Sequence, residues 1–209
     1  MERIHITIIS DISCPWCYVG RKRMLNAIST IKNKEISYEY HPYIIDMKTK
    51  KDGEEYMAYN VRRWGGDGWT YSMIRDSKAD GCNFAQWKYW PYSLHCHRLM
   101  IYANTIGKGN ELMGIYFQMN YEEGKNLSIQ SGLMEAAERC GLDLTIAKRI
   151  ITSDENKDIV MRELHNWHSM GISGVPFFII EFGNGKQVTL SGAVSSSKWL
   201  SVIQKYSSN

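Results

Sequence analysis

Cys14 and Cys17 stand three residues apart in SCPWC, directly after an apolar run near the start of this 209-residue chain. The pattern admits three chemistries: a redox-active dithiol, half of a metal site, or two inert core thiols. Residues three apart on a helix share a face, so both sulfurs come within reach of one disulfide. Pro15 suits the first helical position. Cys14 then sits at or just before the first turn, where unpaired backbone N–H groups and the helix dipole favour a thiolate. A thiolate is both the better nucleophile and the better leaving group in thiol–disulfide exchange. Cys17, one turn in and followed by Tyr18 and Val19, is expected to be the more buried sulfur, able to attack a mixed disulfide on Cys14 from within. Trp16 offers an apolar surface beside the reactive sulfur. A zinc site needs two further ligands. His95, Cys96 and His97 are adjacent and point in different directions on a helix, and no second C-x-x-C exists. No metal is expected.

The elements that must position this pair follow from periodicity. Ile4 to Ile9 reads as a buried strand, and Met24, Leu25, Ile28 and Ile31 give a helix from residue 15 to about 32. EISYEYHPY then alternates as a second strand, so the cysteines lie where strand hands over to helix. From about residue 47 to 170 only helical patterns appear, with caps expected at Asn110, Ser128 and Asp143 and stops at Gly141 and Gly171. RRWGGDGW reads as loop, without the strand-before, helix-after setting of a phosphate loop. VPFFII (175–180) and QVTL (187–190) flank GNG, a hairpin signal because Asn-Gly accepts positive φ. Apolar residues at 199, 202, 203 and 206 close the chain with an amphipathic helix. The order is a small α/β sheet interrupted by an all-helical insertion: residues 1–46 with 165–209 as one discontinuous domain, and 47–164 as the inserted one.

The formal net charge of +3 gives no case for nucleic acid or an anionic membrane as partner, and the basic cluster Arg21-Lys22-Arg23 is expected on a solvated helix face. No apolar stretch approaches the ~20 residues of a membrane span. Five cysteines, an odd count without an export signal, fit a reducing compartment, so a cytoplasmic location is expected. Oligomeric state is not legible.

These motifs carry a resemblance. DISCPWCYVGRKRM, HRL at 97–99, GVPFF at 174–178 and SGA at 191–193 together resemble the DsbA-like thioredoxin-fold proteins, nearest their cytosolic FrnE-type branch, nearly end to end. The resemblance implies a thioredoxin fold interrupted by the helical block, Cys14 as the exposed nucleophile and Cys17 as resolving thiol. It also implies Val175 before a cis-Pro176 facing the disulfide, and substrate docking by Pro15, Trp16, Val175 and Pro176, the backbone adding a strand to the substrate. Asp11 matches the family's acidic residue ahead of the first cysteine, either orienting the loop, assisting proton transfer or holding a structural hydrogen bond. His97 matches a family histidine, either auxiliary to the site or simply packed. The implied function is a protein disulfide oxidoreductase acting on disulfide-containing or dithiol proteins, with no bound cofactor and glutathione as candidate co-substrate.

The departures fall at Tyr92-Ser93, at Cys96 where relatives carry alanine, and at Val194, all opposite the dithiol. Cys96 reads as a small packed residue rather than a third redox thiol; Cys82 and Cys140 have no sequence partner. The superfamily also holds hydroxychromene-carboxylate isomerases and kappa-class glutathione transferases, which use serine near the position of Cys14. The alternative function is therefore a glutathione-dependent isomerase or transferase acting on a small aromatic or polyketide-like molecule. Trp64, Trp69, Trp87, Tyr89, Trp90 and Tyr92 would line its cleft; otherwise they pack the inserted block.

Overall fold

The computed structural model describes residues 2–207. In β1 (Glu2–Ser10) Ile4, Ile6 and Ile8 alternate with Arg3, His5 and Thr7, and the three isoleucines are buried on one face. At the far end both faces are covered. Ile9 turns the other way, into a second apolar cluster with Tyr43, Leu94, Val160 and Leu164. Coverage on both sides is what an inner strand requires. β1 lies parallel to β2 (Lys34–Pro42), and the four-stranded sheet runs β2-β1-β5-β6.

Between β1 and β2 the chain forms α1 (Pro15–Ile28). This helix stops short of residue 32 because the Ser29 and Thr30 hydroxyls donate to the carbonyls of Asn26 and Ala27. Such local bonds compete with a further helical turn. The basic cluster on α1 is not a solvated face. Arg21 donates to the Tyr40 hydroxyl (3.0 Å) and the Asn110 carbonyl (3.3 Å), and Lys22 lies 3.6 Å from Glu122. Arg23 donates to Asp80 (2.7 Å) and to the Ala193 carbonyl (2.6 Å). Sequence periodicity cannot show that the inserted block and the last loop close over this side of the helix.

The chain leaves the sheet after β2 and runs through β3 (Glu54–Glu55), α2 (Tyr56–Trp64), α3 (Thr70–Ser77), β4 (Tyr89–Trp90) and α4 (Ser93–Thr105). It continues through α5 (Gly109–Phe117), a π-helical turn (Gln118–Glu122), α6 (Gln130–Arg139), α7 (Leu144–Thr152) and α8 (Lys157–Ser169). The block is thus not all-helical. β3 and β4 pair antiparallel, Glu54 with Trp90 and Glu55 with Tyr89, and two residues are too few for a readable alternation. RRWGGDGW is only partly loop, since Arg62, Arg63 and Trp64 complete the last turn of α2. Asp143 caps α7 as expected, accepting from the Thr145 and Ile146 N–H groups. Asn110 and Ser128 do not cap. Asn110 lies inside α5 and donates to the Tyr38 carbonyl, while the Ser128 hydroxyl accepts from the Tyr92 N–H.

The chain then re-enters the sheet as β5 (Phe177–Phe182), antiparallel to β1, followed by β6 (Gln187–Ser191). β5 starts two residues later than its sequence pattern suggests, because Val175 and Pro176 form the approach to the strand. The hairpin closes on GNG, but Gly185 alone takes positive φ (+82°). The Phe182 N–H donates to the Lys186 carbonyl and the Gly185 N–H to the Phe182 carbonyl, a three-residue loop with glycine at the left-handed position. Ser195 caps α9 (Ser196–Tyr206), which lays the fully buried Trp199 edge-on against Phe178, ring centres 4.8 Å apart. No helix among the described residues is long and apolar enough to cross a membrane.

β2 is tied to α8 by His41, whose Nδ1 lies 2.8 Å from Glu163. Burial opposes charge on His41, but the Glu163 hydrogen bond and charge, with Glu39 behind them, outweigh it, so its pKa sits above the usual value. A raised folded pKa gives stability that is complete below the unfolded value of ~6.5 and lost as pH rises through the folded one. Replacing Glu163 with Gln should therefore destabilise the protein by about 0.5–1 kcal/mol at pH ~5.5. At pH ~8.5 it should cost much less. Urea midpoints of the two proteins at both pH values check this; an equal loss at each would contradict it.

Candidate active site

Cys14 immediately precedes α1. Its N–H donates to the Asp11 carbonyl (3.1 Å), and its own carbonyl accepts from the N–H groups of Cys17 (3.0 Å) and Tyr18 (3.4 Å). No acidic residue occupies the first turn of α1, so nothing there competes with negative charge on a sulfur. The Val175 carbonyl, just ahead of β5, lies 3.7 Å from the Cys14 sulfur and accepts from its thiol. The Val175–Pro176 peptide bond is cis. α1 can approach this segment because of Gly20, where a Cβ would stand 2.9 Å from Pro176 Cγ and 3.4 Å from Phe178.

The two sulfurs are unequal in surroundings. Cys14 is 5% exposed and Cys17 2%. Burial pushes the Cys17 thiol well above its ordinary pKa, and the hydrogen bond and charge of Cys14 push it further. The Ser10 hydroxyl and Asp11 N–H act in the opposite direction and do not offset this. While Cys14 carries negative charge, Cys17 keeps its proton.

Cys14, Pro15, Trp16 and Val175 line one cavity of about 480 Å³. Its other walls come from far along the chain: Tyr43 and Ile45 after β2, Tyr59, Arg63 and Trp64 on α2, Trp69, Trp90 on β4, and the Ser173–Gly174 turn. Tyr59 and Trp90 stack face to face with ring centres 3.7 Å apart. Trp64 and Trp69 meet at 6.0 Å, and the Trp69 indole N–H donates to Asn60. Of the six aromatic residues singled out in the insertion, Trp64, Trp69 and Trp90 line this cavity. Trp87 packs between Tyr56, Phe84 and Tyr121, and neither Tyr89 nor Tyr92 is among the lining residues. Tyr43, Ile45, Tyr59 and Arg63 were not legible as site residues. The one available signal was position: Tyr43 and Ile45 follow the carboxyl end of a strand parallel to β1, where α/β sheets place their ligands.

Asp11 and His97 lie behind the cavity rather than in its wall, both fully buried. Asp11 accepts from the Ser13 N–H (3.1 Å), the Ser13 hydroxyl (2.8 Å) and the Ile45 N–H (2.8 Å). Burial opposes its charge, yet His97, the Ile45 N–H and Ser93 together hold its carboxyl below the usual range. His97 Nε2 stands 3.5 Å from the carboxylate and 2.7 Å from the Tyr43 carbonyl. The two residues join the loop that carries Cys14 to the segment after β2 and to α4.

The other cysteines are buried thiols. Cys96 is fully enclosed and donates to the Leu127 carbonyl, and burial with the nearby Asp11 charge pushes its pKa up. Burial raises Cys82 to about 11 and Cys140 above its usual value. Among the described residues no three His, Cys, Asp or Glu side chains group as metal ligands.

Comparison with known proteins places this architecture. The sequence profile of the DSBA-like thioredoxin domain matches residues 5–204. The uncharacterised Bacillus subtilis protein YwbO is 26% identical over 187 residues, covering 85% of this chain and 86% of that protein. The crystal structure of a "probable DsbA oxidoreductase" from Streptomyces coelicolor superposes with a TM-score of 0.81 at 21% identity, over 97% of this chain and 89% of the other. A 2-hydroxychromene-2-carboxylate isomerase superposes with a TM-score of 0.66 at 14% identity, over 96% and 95%. At such identities the superpositions speak for the fold alone, whereas the profile spans nearly the whole chain. The chain belongs to the DsbA-like thioredoxin domain family.

Proposed function

We propose that this protein is a thiol–disulfide oxidoreductase cycling a Cys14–Cys17 dithiol and disulfide. The observation that carries the reading is the placement of Cys14: at the start of α1, in the wall of the cavity, 3.7 Å from the Val175 carbonyl, with the proton-retaining Cys17 beneath it. In the reducing direction the Cys14 thiolate attacks one sulfur of a substrate disulfide, and the other substrate sulfur leaves as a thiolate. Cys17 then gives up its proton and attacks the Cys14 sulfur of the mixed disulfide. The second substrate thiolate leaves, and two electrons have passed from the dithiol to the substrate. The oxidising direction runs the same steps backwards. Pro15, Trp16, Val175 and Pro176 form the docking surface in this reading, and Asp11 and His97 act by holding the cysteine loop. The substrates are disulfide or dithiol proteins in the cytoplasm, with glutathione as an exchange partner. The sheet part, 1–46 with 165–209, supplies the sulfurs and the larger share of the cavity lining, and the 47–164 block supplies Tyr59, Arg63 and the three tryptophans Trp64, Trp69 and Trp90.

The aromatic cavity favours one second reading, a glutathione-dependent isomerase or transferase acting on a small aromatic or polyketide-like molecule. A Cys14→Ser/Cys17→Ser double variant separates the two. Under the oxidoreductase reading it retains no exchange activity and no turnover of small electrophiles in the presence of glutathione.

Cys14→Ser should abolish insulin reduction and dithiol oxidation, whereas Cys17→Ser should accumulate mixed disulfides on Cys14, seen as mass adducts released by dithiothreitol. Unchanged exchange in Cys14→Ser would end the proposal. Gly20→Ala should slow exchange severalfold, because the new methyl meets the Pro176 ring rather than a flexible side-chain end. Stopped-flow reduction of the Cys14–Cys17 disulfide measures it, and an unaltered rate would show that α1 and the Pro176 segment need not be in close contact.

A further inference from the structure

The cavity beside Cys14 has a chemical character more specific than a generic docking surface. Stacked Tyr59 and Trp90 form one wall, and Trp64 and Trp69 form another. Trp64 is 52% exposed, so this wall is not simply the packed interior of the inserted block. Aromatic side chains gathered around one space suit a ring-bearing ligand.

The polar groups around that space point to an oxygen-bearing ligand. No Asp or Glu is among the described lining residues. The Tyr59 hydroxyl and the Trp90 indole N–H are buried without a hydrogen-bond partner, although both side chains belong to the cavity wall. Buried donors left unpaired are costly. The one cation in the wall is Arg63, whose guanidinium lies 4.5 Å from the centre of the Trp64 ring. Its nearest carboxylate, Asp46, stands 3.9 Å away and is already engaged by Arg62 at 3.1 Å and by the Lys48 N–H. Arg63 makes no hydrogen bond to any described residue, which leaves guanidinium donors available to a ligand.

We infer that the cavity selects disulfides that bring an aromatic ring and a carboxylate close to the sulfur, the ring lying against the tryptophans and the carboxylate meeting Arg63. This rests on the oxidoreductase reading and specifies its substrate. The exchange steps are those given above: the Cys14 thiolate displaces one half of the substrate as a thiolate, Cys17 displaces the other, and the dithiol ends as a disulfide. The ring and acid belong either to a small aromatic thiol or to aromatic and acidic residues beside a peptide cysteine.

The test uses the reduced full-length protein and four disulfides: dithiobis(benzoate), its uncharged analogue dithiobis(benzamide), hydroxyethyl disulfide, and a peptide disulfide with Phe and Glu beside the cysteine. Each rate is divided by the uncatalysed rate with dithiothreitol, which removes the intrinsic reactivity of aromatic leaving groups. The corrected second-order rate constant for dithiobis(benzoate) or for the peptide should exceed that for hydroxyethyl disulfide by about tenfold. Whichever of the two leads identifies the source of the ring. Trp64→Ala should remove most of that preference, and Arg63→Ala should bring the benzoate-to-benzamide ratio close to one. Both residues lie at the exposed end of α2, and circular dichroism verifies that the variants remain folded. Equal corrected values for aromatic and aliphatic disulfides, or a preference unmoved by both substitutions, would overturn the inference. Failure of the wild-type protein to reduce any of the four would instead overturn the oxidoreductase reading on which it stands.

Discussion

The carboxylate of Asp11 is wholly enclosed by protein, and a buried charge must be answered by hydrogen bonds or opposite charge on every side. Here the answers come from the Ser13 N–H and hydroxyl, from the Ile45 N–H and from His97, while the Asp11 carbonyl takes the Cys14 N–H. Three stretches are thereby held to one point: the loop leaving β1, the segment following β2, and the start of α4. Their convergence determines where Cys14 stands at the head of α1 and where Tyr43 and Ile45 stand in the cavity wall. Because partners outweigh burial, the Asp11 carboxyl titrates below its usual value. Its contribution to stability is complete above the unfolded carboxylate range and is lost only as pH falls through that lowered folded value.

His97 completes the arrangement without entering the cavity. Its Nε2 lies 2.7 Å from the Tyr43 carbonyl, an acceptor, so that nitrogen carries the proton. Nδ1 is buried and has no hydrogen-bond partner among the described residues. One nitrogen thus fixes the segment after β2 to α4 while the ring edge faces the carboxylate. Removing either residue therefore disturbs the loop bearing Cys14 from behind, even though neither lines the space a substrate would enter.

The sequence made one layer of this legible. The strand-to-helix handover at SCPWC, the buried run from Ile4 to Ile9, the Asp143 cap and the GNG hairpin all depend on neighbours within a few residues. What escaped depends on chain segments meeting from afar. Arg21 and Arg23 looked solvated because Tyr40, Asp80 and the Ala193 carbonyl come from elements that no helical period reveals. The β3–β4 pair is too short for its pattern to register. Asn110 and Ser128 have the right chemistry for caps but serve tertiary bonds instead, to Tyr38 and Tyr92. The cysteine pair was visible as local chemistry, whereas the cavity wall beside it was not. That wall is drawn from five separate stretches between Tyr43 and Val175.

That difference in origin divides labour within the molecule. The sulfurs, their turn and the facing Val175 belong to the sheet and its first helix, where Gly20 admits a close approach and Asp11 holds the loop. The ring-bearing walls ride on α2, β4 and the start of α3, held by a separate set of bonds: Arg62 to Glu54 and Asp46, Tyr56 to Asp67 and Thr70, and Trp69 to Asn60. None of these bonds reaches the cysteine loop. Substitutions among the wall residues can therefore change what the cavity accepts while the environment of Cys14 and Cys17 stays as it is. The shared boundary is Trp16, 39% exposed, which stands on the dithiol turn and lines the same space as the aromatic residues of the inserted block.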